Sequence, residues 1–403
     1  MKKYKTDEIR NLCFLSHSGV GKTSLIEAMC RACGAPGASG SVDKGTSLFD
    51  SRPDEKSRKM TISSGVASMD WKGNKINIID TPGSLGLLAE ANGGIRVSEM
   101  SCVLVDAVSG IEVGTEQSTR MIDKYAGRKT FFINGIDKEN ADFDKTLDSL
   151  KQKYGTSVAP VQIPIGSGES FKGIVDLLSG KAFEYSGDKG VGKETEVPSD
   201  ISESVESIRN SLIESIAESD EELMEKYFEA GELSDDDLKN GLAKGVAQGL
   251  IFPLFCGSAA KGMGVDLLLD SIVSISPSPM VDKEMGILKG DETIKVSAVS
   301  EDKARAFVFK TVSEEHVGEI NYIRLFSGTL KGGEHLKNMT TGNEERLSSL
   351  YSICGNKREE VQELQAGDIG GVIKLKETHT SDTLVDPSLD ERFEPIDYGD
   401  RLV

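Results

Sequence analysis

Apolar and polar positions along this chain fall into two textures. In the first, short apolar runs alternate with helix-length amphipathic stretches. Ile9 to Leu15 is an apolar run, and a helical pattern follows from Lys22 to Arg31. Ile76 to Asp80, Ser101 to Asp106 and Lys129 to Ile133 read as further buried strands. Phe143, Leu147, Leu150 and Tyr154 recur at helical spacing and form one face. Phe252 to Cys256 is another short strand. A helix follows from Val265 to Ile275, and Ser276-Pro277-Ser278-Pro279 stops it. Alternating strands and helices predict an α/β domain whose mainly parallel sheet is covered on both faces.

Residues 158–251 interrupt this rhythm and predict an inserted α+β subdomain. Phe171 to Leu178 is strand-like, and 186–200 is a Gly-, Lys- and acid-rich stretch expected to be a loop. Ile201, Val205, Ile208 and Leu212 line one helix face; Leu238, Leu242 and Val246 line another. Ser234, ahead of three aspartates, suits a helix start. The second texture begins near residue 290. Phe307 to Thr311, Ile320 to Phe326 and Ala366 to Val372 are short strands separated by Gly-containing turns, the pattern of a small antiparallel β-barrel. The resulting plan is an α/β unit over 1–282, a barrel over 288–385, and an acidic, irregular tail over 386–403.

Length and composition narrow the function classes. The 403 residues suffice for two or three domains with real cores, and 37% hydrophobic with 28% charged residues is a globular balance. No apolar run reaches membrane-spanning length and no secretory pattern opens the chain, so a cytoplasmic protein without a membrane partner is expected. Net charge is −19, which argues against generic DNA or RNA binding through a basic face. The six cysteines suggest no disulfide framework; Cys30 and Cys33 form a lone CxxC at the end of a helix and read as packed thiols. His17, His316, His335 and His379 are scattered without metal-ligand spacing. A monomer is expected.

The chemistry is concentrated in loops that follow strands. Ser16-His17-Ser18-Gly19-Val20-Gly21-Lys22-Thr23-Ser24 joins the first strand to the first helix. Such a turn aims backbone N–H groups and a helix N-terminus at phosphates. Lys22 would reach the β- and γ-phosphates, and the Thr23 hydroxyl would ligate Mg²⁺. His17 is expected to pack within the loop or to contribute its backbone. The pattern normally opens with Gly, and here Ser16 stands in that place. Asp80-Thr81-Pro82-Gly83 follows a strand directly: an Asp there holds Mg²⁺ through water, and the Gly83 N–H can meet a γ-phosphate. Thr61, in Arg58-Lys59-Met60-Thr61-Ile62, suits the same metal and phosphate, unless it merely opens the strand running to Trp71.

Two further loops bear on the base. Asn134-Gly135-Ile136-Asp137 places a carboxylate where it accepts from guanine N1–H and the exocyclic amine, donors that adenine lacks. Cys256-Gly257-Ser258-Ala259-Ala260 offers backbone N–H groups, Gly257 to Ala259 first, to guanine O6.

These segments resemble the translational GTPases, and specifically elongation factor G, over nearly the whole chain. The resemblance also includes Val105 to Glu112, Ala141-Asp142-Phe143, Val308-Phe309-Lys310, Arg324 to Leu330, Gly355 to Glu360 and Ala366 to Ile369. The Ser-Gly-Val-Gly-Lys-Thr loop is similar to that of the divergent elongation-factor-G-like branch. The resemblance implies GTP and GDP as ligands, Mg²⁺ held by Thr23, Thr61 and Asp80, a nucleotide-driven conformational switch, and the ribosome as partner. It implies catalysis by Lys22, Thr61, Asp80, Gly83 and Ser84. A nucleotide-binding module with little or no hydrolysis is the alternative.

Four departures stand out. Gly19 replaces the family's Asp in the phosphate loop, and Ser381 replaces a Gly before Asp-Thr-Leu. Ser84 replaces the His that orients the attacking water, a change expected to slow hydrolysis by about 10²-fold or more. Gly135 replaces the Lys whose stem covers one face of the base, a loss of roughly 1–2 kcal/mol. The family's third to fifth domains have no counterpart after Val403, so this chain alone is not expected to move tRNA or mRNA.

Overall fold

The computed structural model describes residues 2–398 except 36, 38, 39, 43, 126, 187–189, 282–285, 291, 315 and 316. His316 therefore lies outside the described residues, as do 187–189 of the expected loop and 399–403 of the tail.

The α/β part begins with β1 (Ile9–Ser16), α1 (Lys22–Ala32), α2 (Pro53–Arg58), β2 (Gly65–Trp71) and β3 (Asn74–Asp80). It continues with α3 (Ala91–Val97), β4 (Met100–Asp106), α4 (Val113–Lys124), β5 (Lys129–Asn134), α5 (Phe143–Tyr154) and β6 (Val158–Pro160). The strands lie in the order β2-β3-β1-β4-β5, followed by a later strand and then β6. Every pairing in this sheet is parallel except β2 with β3. Both faces of β1, β4 and β5 are buried, which explains why they are mainly apolar rather than alternating.

Thr61 precedes β2 rather than opening it. The insertion also starts later than 158, because Val158–Pro160 pairs with the main sheet. It comprises β7 (Gln162–Ile165), β8 (Gly173–Asp176), β9 (Lys181–Glu184) and β10 (Lys193–Thr195), a four-stranded antiparallel sheet. The expected loop thus contains a strand, β10, which pairs with β9. Three helices follow: α6 (Ser202–Glu218), α7 (Glu221–Ala230) and α8 (Asp235–Gln248). Ser234 caps α8 by accepting from Asp237 N at 3.1 Å. The chain then re-enters the main sheet through β11 (Phe252–Gly257), which lies between β5 and β6 and leads into α9 (Val265–Ile275).

Past α9 come β12 (Ile287–Lys289), β13 (Glu292–Ile294), β14 (Arg305–Glu314), β15 (Gly318–Ser327), β16 (Thr329–Lys331) and β17 (His335–Asn338). They are followed by β18 (Glu344–Arg346), β19 (Leu350–Cys354), β20 (Lys357–Val361), β21 (Glu363–Gln365), β22 (Ile369–Ile373), β23 (Thr383–Val385) and β24 (Arg392–Phe393). All pairings here are antiparallel, and the strands enclose a core of their own around Val308, Leu325, Leu336, Leu350 and Leu384. The described part of the tail is less irregular than its composition suggests. Phe393 is buried, β24 pairs with β12, and Arg96 donates to Pro395 O at 2.7 Å.

The two parts meet along a wide seam. One residue pair, Ala67 with Cys354, joins β2 to β19 and makes the two sheets continuous. Beneath it lies a buried polar cluster. Arg324 donates to Glu99 Oε1 at 2.7 Å, and Asn11 Nδ2 donates to Glu99 Oε2 at 2.7 Å. Asn77 Nδ2 donates to Asn11 Oδ1 and to Asp368 Oδ1, and Lys75 Nζ donates to Asp368 Oδ2 at 2.8 Å.

Candidate functional site

The loop between β1 and α1 is shaped by two glycines in the left-handed region, Gly19 (φ 83°) and Gly21 (φ 99°). A Cβ on Gly21 would stand 2.6 Å from Asn134 Nδ2, so a side chain there would be strained and would displace Asn134. Ser16, at the end of β1, is buried, and its hydroxyl donates to His17 O at 2.8 Å. His17 packs outward against the start of α4: Gly114 N–H donates to its Nδ1 at 3.3 Å, and its Nε2 lies 3.6 Å from Glu112 Oε1. Ser18, Gly21, Lys22, Thr23, Ser24, Arg58, Thr61 and Gly83 surround a cavity of about 310 Å³.

At its floor, α1, β3 and the loop before β2 converge. The Thr23 hydroxyl donates to Asp80 Oδ2 at 2.8 Å, and the Thr61 hydroxyl donates to Asp50 Oδ1 at 2.9 Å. The two hydroxyl oxygens are themselves 2.9 Å apart. Two protons thus serve three contacts, and lone pairs are left facing one another. Asp80 Oδ1 is 3.5 Å from the Lys22 ammonium and takes no hydrogen bond; Asp50 Oδ2 is likewise buried without a partner. Burial raises the Asp80 carboxyl, against the pull of Lys22 and Thr23. Burial and the Asp80 charge push Asp50 up to about 6. Four hard oxygens with unsatisfied capacity fit a divalent cation such as Mg²⁺. Thr23, Thr61 and Asp80 would hold it, with Asp50 as a second carboxylate that sequence reasoning missed. An aspartate inside a segment without periodicity, eleven residues before Thr61, was the available signal.

Other groups hold the Thr61 segment in place. Glu55, on α2, accepts from Ile62 N at 3.2 Å and from Ser63 N at 3.3 Å. Lys310, on β14, donates to Ser63 Oγ and to Ser64 O. The Asp80-Thr81-Pro82-Gly83 turn is fixed by Thr81 Oγ1 donating to Phe14 O at 2.7 Å, and Pro82 is buried. Gly83 lies against the phosphate loop: a Cβ there would sit 3.1 Å from His17 O. Ser84, half-buried, begins a short 3₁₀ turn over Leu85–Glu90.

The loops after β5 and β11 are stitched to this site through Asn134. Its Nδ2 donates to Val20 O at 2.6 Å, and its Oδ1 accepts from Ala259 N at 2.9 Å. Gly135 and Ile136 N–H groups both donate to Gly257 O. Asp137 is half-buried at the edge of this ring. Ser258 N–H is taken by Met263 O and Ala259 N–H by Asn134, so these two groups are not free for a guanine O6 in this conformation.

Comparison with known proteins decides the family. Residues 7–278 match the family described as elongation factor Tu GTP binding domain. The chain belongs to that GTP-binding family. Residues 303–387 match elongation factor G domain 2, so the chain is similar to elongation factor G in its GTP-binding and second domains. A crystal structure from Thermus thermophilus superposes with a TM-score of 0.84 at 30% identity. The match covers 94% of this chain and 54% of the Thermus chain, so the present chain spans about half that protein's length. No helix among the described residues is long and apolar enough to cross a membrane.

Proposed function

We propose that this chain is a guanine-nucleotide switch that hydrolyses GTP and acts on the ribosome. The observation that carries the reading is the closure of Thr61 onto Thr23, 2.9 Å between hydroxyl oxygens, beside the paired Lys22 and Asp80. Membership of a GTP-binding family supports GTP as the substrate class.

Phosphoryl transfer needs charge balance and alignment more than covalent chemistry. The N–H groups of Gly19 to Thr23 and the start of α1 would receive the β-phosphate, and Lys22 would neutralise charge as it moves to the β–γ bridging oxygen. A bound Mg²⁺ would supply Lewis-acid polarisation of the phosphate oxygens. Thr61 and Gly83 would close on the γ-phosphate from opposite sides, aligning a water with the breaking P–O bond. When that phosphate leaves, both segments lose an anchor, and the Thr61 segment would loosen from Glu55 and Lys310. Asp137 would select guanine by pairing with its two donors.

Ser84 supports the second reading, a binding module with little hydrolysis, because a hydroxymethyl group cannot become cationic or reach as far as imidazole. Single-turnover GTP hydrolysis with and without ribosomes separates the two. The GTPase reading expects ribosome-stimulated turnover, raised further by Ser84→His. GTP bound but uncleaved in both proteins, with ribosomes present, leaves the binding module standing.

A further inference from the structure

Gly135 has no side chain to lay over the base, yet its place is filled. Its φ is +81°, and a Cβ built on it would stand 2.8 Å from Lys138 Cε, 3.0 Å from Cδ and 3.4 Å from Cγ. The aliphatic stem of Lys138 therefore runs back over Gly135, through the space a residue-135 side chain would enter first. Its head is pinned, since the ammonium donates to Asp106 Oδ2 at the end of β4. Asp106 is fixed in turn by Val108 N–H at 3.0 Å and Ser109 N–H at 3.1 Å. Burial pushes the Asp106 carboxyl up, but Lys138 and the two N–H groups outweigh it and hold the group below the ordinary carboxylate range. Lys138 also shares a groove with Gly19 and Val20 of the phosphate loop. It follows Asp137 directly and starts beside the guanine-reading carboxylate.

We infer that Lys138 supplies the apolar cover for one face of the guanine base that Gly135 cannot provide, with Asp106 holding the stem in register. A long cationic side chain commonly lays its methylenes on an apolar surface while its head is held by water or a carboxylate. The stem was invisible as a base contact in the sequence because Lys138 stands outside the four-residue motif. The inference rests on the guanine-nucleotide reading of the site.

Calorimetric titration with GDP and with GTP, at fixed Mg²⁺, tests it. Lys138→Ala is expected to weaken both nucleotides by about tenfold, because the base is common to them. Lys138→Met keeps the methylenes and is expected to stay within about threefold of the unmodified chain. Unchanged affinity in Lys138→Ala, a loss confined to GTP, or a methionine variant as weak as alanine overturns the inference. A second measurement uses the unmodified chain with ¹³C-labelled lysine, the Lys138 signals being assigned by their loss in Lys138→Met. GDP should move the Lys138 methylene resonances upfield through the base's ring current, and pyrophosphate should not. Equal shifts with both ligands, or none, overturn it. If the unmodified chain binds neither nucleotide, the guanine reading itself falls; if it binds both and Lys138 is silent, only this inference does.

Discussion

Two buried clusters of charge, one at the nucleotide site and one at the seam, are built from the same kinds of residue and finished differently. At the seam, both oxygens of Glu99 and both of Asp368 accept hydrogen bonds from Arg324, Asn11, Asn77 and Lys75. At the nucleotide site, Asp80 and Asp50 each keep one buried oxygen without a hydrogen bond. The seam is a joint whose anions are answered within the protein. The site is a cradle whose anions await something else. A buried ion pair adds little net stability over an apolar pair, but breaking one is costly, whereas an unanswered carboxylate is already a cost to the fold. The two clusters should therefore respond to mutation in opposite ways.

The largest effect is expected at the seam. Arg324→Ala leaves Glu99 buried without its principal cation and should destabilise by about 3–5 kcal/mol, read as a fall in the urea midpoint. Replacing both partners, Arg324→Met with Glu99→Leu, should recover most of that loss; no recovery would sink the idea that pairing is what matters. Next comes the cradle. Asp80→Asn should weaken Mg²⁺-dependent GTP binding by about 10²-fold or more while leaving the urea midpoint equal or higher. A fall in stability like that of Arg324→Ala would erase the contrast.

Lys310 lies between the clusters and gives a pH test. It faces Glu90, Glu55 and Arg52 besides the Ser63 and Ser64 oxygens, and burial lowers its ammonium to about 8, with Glu90 offsetting part of the shift. Below pH 8 both folded and unfolded chains carry the proton, and the folded state bears the desolvation cost. Above it the folded state gives up its proton first. Stability should thus rise by about 1–2 kcal/mol between pH 7.5 and 9.5, and Lys310→Met should lose that slope in thermal melts. The smallest effect concerns Ser381, held at φ 77° where glycine is at ease. Ser381→Gly should relieve backbone strain and stabilise by about 0.5–1 kcal/mol, even though Ile396 N–H loses its acceptor, Ser381 Oγ. A lowered melting temperature would mean the hydroxyl outweighs the strain.

Elements with strong periodicity were legible in the sequence. The β1 and β4 runs, α5 and α9 all form where their apolar spacing puts them. The second helix, Pro53–Arg58, was not, because a proline and five polar residues carry no period and Glu55 acts by folding back on Arg52, Ile62 and Ser63. Asp50 was hidden for the same reason. The seam left a fainter trace. Asn11 and Asn77 interrupt otherwise apolar strands, and a polar residue in such a strand needs a buried partner. What that partner would be depended on Arg324 and Asp368, hundreds of residues away. At the loops after β5 and β11 the residue types were readable, but the competition for their N–H groups was not, since Asn134 claims Ala259 only in three dimensions.

The Glu99–Arg324 pair spans 225 residues of sequence. At a synthesis rate of about 5–20 residues per second, roughly 10–45 s separate the emergence of the carboxylate from that of its guanidinium. Throughout that interval the nascent α/β half carries an edge lined with Asn11, Asn77 and Glu99 whose bonds to Arg324 and Asp368 are not yet made. It is wet and charged, and so resists the sticky encounters that an apolar edge would invite. The choice of ions over leucines at this joint gives the growing chain a soluble half-finished form.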